Sequence, residues 1–510
     1  MEQSSLTFQT FKNISYNIAG YVWPMIFTLF VTPVIVHGLG VKGYGIYIFV
    51  YTVIGLFGIL DFGVGISLTR NLAFYTGKKD RESIIKLVFS GNSLFLIIAT
   101  IGLICAGLIA SFSHSYGQYS SLILIAGAIF FVNTIDTTYS AVMYSLQRFD
   151  ISNGLSIVSI TLSSLSTLAI VLAKGSLEEI FLAQLAVSII ITLATFYYGK
   201  KILPEAPIKI GWDKGEIKKC LSFSAVVSIN NIANSALLYL DRLIIPFFAG
   251  PSNLTYYSMP GNVTTRIPSF ANVLSTTIFP TTSQLEGGGD SARLEALYVR
   301  SFRLITMISA AVTVTAIAFG YKVLLFWLSA DFAARSTNIL IILAFTNFLL
   351  ALLGPLSNFL FGLGKLKFIA IMSTFMAVLN ATLLIILLPR YGITGAAWAY
   401  LISVLPVLYM FYYTEKNYLT LTGRKKYYAK KLLATLISSA LVWLIDIYLI
   451  SPFVTNLTKL LCAGIISLVI YIIIYKLFGF LEEEDWRDAK NFFIAVMQRL
   501  KIKSIKLCQK

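Results

Sequence analysis

The chain has 510 residues, 57% hydrophobic and only 12% charged, against about 25% charged in an ordinary soluble domain. A water-soluble fold of this length has too little polar surface to cover so much apolar side chain, which excludes a soluble enzyme and a soluble nucleic-acid-binding protein. The formal charge of +17, from 40 Lys and Arg against 23 Asp and Glu, is therefore read first as a record of membrane topology.

A bilayer core takes about 20 apolar residues in helix, because the backbone there must satisfy its own hydrogen bonds. Fourteen stretches meet that requirement: 14–39, 43–66, 87–111, 122–146, 151–173, 180–199, 221–249, 254–283, 304–328, 338–361, 368–388, 395–414, 432–450 and 459–479. The first is too long for a signal-peptide core and lacks a small-residue cleavage site, so it reads as a retained span. Short connections such as Gln147–Asp150 and Gly362–Lys367 make neighbouring helices antiparallel, and no loop is long enough to hold a soluble domain. After the last span, Trp486, Phe492, Phe493, Val496, Met497 and Leu500 alternate with Arg487, Lys490, Arg499 and Lys501. That pattern suits an amphipathic basic helix on the anionic inner leaflet.

Charge orients the bundle. Connections on the side of the N-terminus, with the tail, carry 32 basic residues, the opposite side carries six, and Arg242 and Arg266 fall inside spans. Both termini are thus expected in the cytoplasm.

Spans one and seven end in similar stretches, "TPVIVHGLGVKGYGIY" and "IIPFFAGPSNLTYYSM". Pro33 precedes Tyr44 by eleven residues, as Pro246 precedes Tyr257. The expected architecture is an all-α integral membrane protein of about 14 transmembrane helices, with two parallel-repeat six-helix lobes around a central cavity. The lobes are 1–199 (helices 1–6) and 221–414 (helices 7–12), joined by a cytoplasmic linker at 200–220. Helices 13–14 at 432–479 and a cytoplasmic tail at 480–510 follow.

Ionisable groups inside a membrane are costly and default to functional candidates. They are Asp61, Asp136, Asp241, Arg242, Arg266 and Asp446. Arg266, some 12 residues into span eight, falls near the midplane, and its guanidinium can hold phosphate or carboxylate bidentately. The alternative is a structural ion pair with Asp241 or Asp136. Spans seven and eight are also rich in amides and hydroxyls, with Asn230 and Asn234 on one face and Asn262 in the next span. Such faces suit a hydrated sugar path, or hydrogen bonding between helices.

Cofactor and metal signals are missing. The four cysteines show no CxxC spacing, His37 and His114 lie far apart, and no Gly-rich phosphate loop is present. The cysteines read as reduced, apolar fillers.

The segment "LGVKGYGIYIFVYTVIGLFGILDFGVGISLTRNLA" (39–73) resembles the start of polysaccharide biosynthesis flippases for lipid-linked oligosaccharides, within the multidrug/oligosaccharidyl-lipid/polysaccharide exporter superfamily. "YLDRLIIPFFAGPSNLTYYSMP" (239–260) and "LPRYGITGAAWAYLIS" (388–403) fit as well, so the resemblance covers about residues 10–415. It implies two lobes around a cationic cavity, and movement of undecaprenyl-diphosphate-linked repeat units of O-antigen, capsule or exopolysaccharide from the cytoplasmic to the periplasmic leaflet of the inner membrane. Proton or cation antiport is implied too, as is partnership with polysaccharide polymerase and chain-length machinery. Peptidoglycan-precursor relatives carry cavity arginines in the first two helices, whereas this chain has none before Arg70.

The residues then take these expected roles in a non-enzymatic transporter. Arg266 and Arg242 hold the diphosphate or acidic sugars, and Asn230, Asn234 and Asn262 line the sugar path. Asp61, Asp136 or Asp241 couples to protons or cations. A small-molecule cation antiporter of the same superfamily is the alternative, and an integral polymerase is a more distant one.

Overall fold

A computed structural model describes residues 2–112, 119–205, 211–275, 278–419 and 424–478. Every described element is helical, as the apolar runs require. The basic amphipathic tail around Trp486–Lys503 lies outside the described residues, as do Cys508, Thr276, Thr277 and linker positions 206–210.

Eleven of the described helices are long and apolar enough to cross a membrane. The difference from fourteen expected spans lies in three places. Spans one and two share helix α1 (Glu2–Phe57), broken only at Gly40 (φ 69°, ψ 168°). Spans eleven and twelve share α14 (Leu366–Val404), broken at Gly392 (φ 59°, ψ −149°). In both, the chain turns within one residue whose backbone angles only glycine adopts cheaply. Span eight is divided into α9 (Pro251–Thr264), α10 (Arg266–Ser275) and α11 (Ile278–Gly287), each too short to cross alone.

Other spans carry interior breaks that hydropathy alone does not reveal. α1 gives way to a 3₁₀ turn at Gly58–Asp61, then to left-handed Phe62 and Gly63, before α2 (Val64–Lys78) begins. Asp136 separates α4 (Ser120–Ile135) from α5 (Thr137–Ser145). Between these pairs runs α3 (Arg81–Phe112), and α6 (Phe149–Leu172) and α7 (Leu177–Ile202) follow. A capping box of Ser176 and Glu179 starts α7. Pro406, which lacks the N–H that the preceding helix needs, opens α15 (Pro406–Tyr418).

The contacts group the chain into two compact units that are not contiguous in sequence. The first comprises 1–261 and 365–406. Its central element, α8 (Lys214–Ala249), is capped by Asp213, which accepts from the Gly215 and Glu216 N–H groups. α8 runs antiparallel to α1–α2 along one continuous seam. Tyr75 Oη donates to both Glu216 carboxylate oxygens at 2.9 Å, and Ser67 Oγ donates to the Cys220 carbonyl at 3.0 Å. Further along, Ser228 Oγ donates to the Phe62 carbonyl at the α1–α2 break. Gly55 lets the Tyr239 ring lie against the backbone, and Gly45 does the same for the Pro251 carbonyl. Beyond the end of α8, Thr255 Oγ1 donates to the Val41 carbonyl at 2.7 Å. The two similar stretches noticed in the sequence therefore meet here. Each places a buried tyrosine, Tyr44 or Tyr257, after a glycine of positive φ, Gly40 or Gly250.

The second unit comprises 262–364 and 407–510. Within it, α12 (Ser291–Trp327) packs on α13 (Ala330–Gly362), and α16 (Arg424–Ile445) and α17 (Leu457–Leu477) pack on α12. Met307, Ala310, Ala311 and Val314 of α12 form one apolar cluster with Ala434, Val442, Tyr471 and Tyr475. Tyr298, Phe302, Phe359 and Phe411 form a second, their rings meeting tilted or edge to face.

Gly45 gives a direct test of the seam. A β-carbon there would fall 1.9 Å from the Pro251 carbonyl oxygen, a clash with backbone that no rotamer change relieves. Overpacking of this kind costs about 1–3 kcal/mol. Gly45→Ala should melt several degrees below Gly77→Ala, where a β-carbon meets nothing within 4 Å. Differential scanning fluorimetry of the two purified variants measures the difference.

Candidate substrate and coupling sites

The intramembrane polar residues fall into three groups. The first lies on α8. Asn230, Asn234 and Asp241 share one face, since seven and eleven residues close whole turns at about 3.6 residues per turn. Asp241 is 3% exposed. Its Oδ1 accepts the Arg242 backbone N–H at 2.8 Å, and Oδ2 accepts the Tyr257 hydroxyl. Tyr400 of α14 is buried within range of the same charge. Among the described residues, the Arg242 guanidinium makes no ion pair and the buried Asn230 Oδ1 has no donor. The Asn234 amide has no hydrogen bond among the described residues.

The second group, in the other unit, is built on the broken span. Thr265 interrupts the helix, so Arg266 opens α10 with Pro268 in its first turn. Asn347 of α13 anchors the break by donating to Thr264 Oγ1 at 3.1 Å and to the Leu343 carbonyl at 2.8 Å. Asn262 and Arg266 are half-buried on either side. Arg266 makes neither an ion pair nor a hydrogen bond among the described residues.

The third group sits at the two interior breaks of the first unit. Asp61 Oδ1 accepts the Gly65 N–H at 3.1 Å, so this carboxylate caps the first turn of α2. Asp136 Oδ2 accepts from Thr192 of α7 at 3.4 Å. A β-carbon on Gly65 would lie 3.3 Å from the Thr137 methyl and 3.4 Å from Asp61 Oδ2. Both breaks therefore stack at one level, with Asp61 and the residue after Asp136 flanking Gly65. Asp241, the third expected coupling residue, belongs instead with the arginine-bearing α8 group.

Sequence reasoning missed four participants. Tyr257 was visible only as a marker of the duplication, and Tyr400 as one aromatic among many. Asn347 and Asn380 are lone amides in apolar runs, "LAFTNFLL" and "MAVLNATLL", and that isolation was the available signal. Asn380 is fully buried on α14, and neither of its amide atoms has a hydrogen-bond partner. Outside the membrane, Arg148 donates through Nε and Nη2 to Asp150, each at 3.0 Å, and holds that carboxyl below its usual range.

With these groups placed, relatives can be compared. The profile of the polysaccharide biosynthesis protein family matches residues 10–286, more than half of the chain. The chain belongs to this family. A second profile, MatE, matches residues 227–386. The putative O-antigen transporter of Shigella flexneri is 24% identical over 403 residues, covering 77% of this chain and 94% of its own. Among solved structures, the lipid II flippase MurJ in an inward closed conformation is 16% identical with a TM-score of 0.68, covering 93% of this chain and 99% of its own. An inward-facing multidrug resistance MATE family transporter of the MOP superfamily is also 16% identical, with a TM-score of 0.61, covering 78% and 97%. The family member is thus a multi-pass membrane protein with the MOP-superfamily transporter fold.

The Asp241–Tyr257 contact can be measured on its own. A hydrogen bond to a charged group contributes about 1.5–3 kcal/mol, a neutral one about 0.5–1.5. A double-mutant cycle of Asp241→Asn and Tyr257→Phe on unfolding should show coupling of about 1–3 kcal/mol. Coupling near zero would contradict the contact.

Proposed function

We infer that the protein is a flippase for undecaprenyl-diphosphate-linked oligosaccharide repeat units of O-antigen, capsule or exopolysaccharide. It moves them from the cytoplasmic to the periplasmic leaflet of the inner membrane by alternating access, with both termini in the cytoplasm. The observation that carries this reading is that neither intramembrane guanidinium, on Arg266 or on Arg242, forms an ion pair among the described residues. A protein tolerates such groups where an anion visits them, and a diphosphate matches their planar, two-pronged donors. The similarity to a putative O-antigen transporter supports the saccharide class, and the high coverage by a lipid II flippase supports a lipid-linked cargo.

In this reading Arg266 and Arg242 hold the diphosphate or acidic sugars. Asn230, Asn234 and Asn262 offer free amide groups to sugar hydroxyls. Asp61 and Asp136, at stacked helix breaks, are the coupling carboxylates of the N-terminal lobe, and Asp241 ties coupling to the arginine group. The expected six-helix lobes 1–199 and 221–414 move relative to each other, so the seam between α1–α2 and α8 parts during the cycle. Membrane lipids and the polymerase and chain-length machinery are its partners, and it performs transport without catalysis.

A cation exporter is the second reading, favoured by the MatE match over residues 227–386. It requires free acidic groups in the path. Here Asp241 is engaged by Tyr257, while neither arginine makes an ion pair among the described residues.

In a strain lacking the chromosomal copy, Arg266→Ala should lower polymer output at least about tenfold, the loss of a charge-assisted contact of about 1.5–3 kcal/mol. Protein level should be unchanged, and single lipid-linked units should accumulate on the inner leaflet. Arg266→Lys should retain part of the output. Normal output from the Ala variant would remove Arg266 from the substrate site, and accumulation on the outer leaflet would point to a polymerase defect.

A further inference from the structure

The helix pair α16–α17 holds a carboxyl that the transport reading leaves unused. After α16 the chain forms a π-helical turn at Asp446–Ile450 and a 3₁₀ turn at Ser451–Phe453. π turns inside spans are rare and recur at functional positions. Asp446 opens this turn and is 0% exposed. Its Oδ2 lies 2.6 Å from Ser467 Oγ of α17, and that hydroxyl lies 2.8 Å from Thr315 Oγ1 of α12. Thr315 in turn donates to the Ala311 carbonyl at 2.9 Å. Asp446 Oδ1 has no hydrogen-bond partner among the described residues. Two turns back on the same face of α16, beyond Val442, the buried Ser438 hydroxyl also has none.

Among the described residues, no counter-charge pairs with Asp446. On α12, Lys322 is engaged by the Ser451 and Val454 carbonyls that follow the π turn. From α17 come Tyr471, whose hydroxyl lies 3.5 Å from Ser439 Oγ, and Tyr475. Between Leu433 and Ile445, α16 carries no charged residue.

An ionised Asp446 would have one donor, Ser467, and no cation, which is costly within a membrane-spanning bundle. With one proton added, the same three oxygens form a complete chain. The acid donates to Ser467, Ser467 donates to Thr315, and Thr315 donates to the Ala311 carbonyl. Every hydroxyl proton is then used, and only an acceptor, Oδ1, is left over. Carboxylate plus one proton gives the neutral acid, and the Ser467 hydroxyl swings its proton from Asp446 to Thr315 as the site loads, while Thr315 keeps donating to Ala311.

We propose that Asp446, Ser467 and Thr315 form a proton-binding site whose loading docks α16–α17 against α12. Loss of the proton leaves a buried charge that draws in water and loosens the pair. The site goes beyond the flippase reading and does not depend on which substrate is carried.

Infrared difference spectroscopy on the full-length protein in lipid nanodiscs tests it. The wild type should show a protonated-carboxyl carbonyl band that is missing in Asp446→Asn. The band should fade as pH is raised and return when it is lowered, and in Ser467→Ala it should be displaced in frequency. Should Asp446→Asn fail to fold, that displacement carries the assignment. Identical spectra for wild type and Asp446→Asn at every pH would overturn the proposal, as would a band that ignores pH until unfolding. Loss of the band at constant pH on adding sodium chloride would overturn it in favour of a metal cation. Amide exchange along α17 reads docking, with wild type and Asp446→Asn equally protected at acid pH and wild type alone losing protection at alkaline pH. Equal protection throughout would contradict the docking step. Polymer output is a separate readout, so failure here is distinguishable from failure of the flippase reading.

Discussion

The antiparallel seam between α1–α2 and α8 is the interaction on which the first unit depends. It runs from Tyr75–Glu216 to Val41–Thr255 with contacts at each level between. Its chemistry changes along its length. Side-chain hydrogen bonds hold the part near Glu216 and Ser228, while glycine contacts at Gly55 and Gly45 bring backbone against ring or carbonyl at the other end. Neutral hydrogen bonds of this kind contribute about 0.5–1.5 kcal/mol each and those to the Glu216 carboxylate about 1.5–3, so the seam is the sum of several modest terms. Close packing at small residues is the usual way helices associate where no hydrophobic difference drives them together.

The seam also explains where the functional groups lie. α8 presents one face to α14, where Asp241 is buried with Tyr257 and Tyr400, and it carries Arg242 about 100° away. Seam and candidate site thus share one helix. In the second unit, the break at Thr265 frees Arg266 from a continuous helix, and Asn347 compensates by bonding to Thr264. Broken helices inside a membrane are tolerated where neighbouring side chains supply the missing hydrogen bonds, and they are a frequent way to build substrate and ion sites.

Much of the fold was legible because the bilayer imposes a length and a polarity on each segment. The helical class, the short connections and the polar character of spans seven and eight follow from those constraints alone. The breaks were harder to read. Gly40 and Gly392 turn the chain within one residue, and hydropathy does not register a backbone angle. Asp136 reads from the sequence as a charge but not as a helix boundary, because neither Gly nor Pro stands beside it in "FVNTIDTTYS". Arg266 and Asp241 were found from cost, since an ionisable group inside a span needs a reason to be there. Their partners depend on tertiary packing. Tyr257 reaching Asp241 could not be inferred from spacing.

In the proposed function substrate crosses as this seam parts, so a tether across the seam should stop transport. Val41 and Thr255 face each other across it through a 2.7 Å hydrogen bond. Cysteines at both positions, with the native cysteines replaced, can be joined by a short bifunctional reagent in cells and separated by reduction. The account predicts that cross-linking stops transfer of lipid-linked units to the outer leaflet and that reduction restores it, with either single cysteine unaffected. Undiminished transfer by fully cross-linked protein would contradict it.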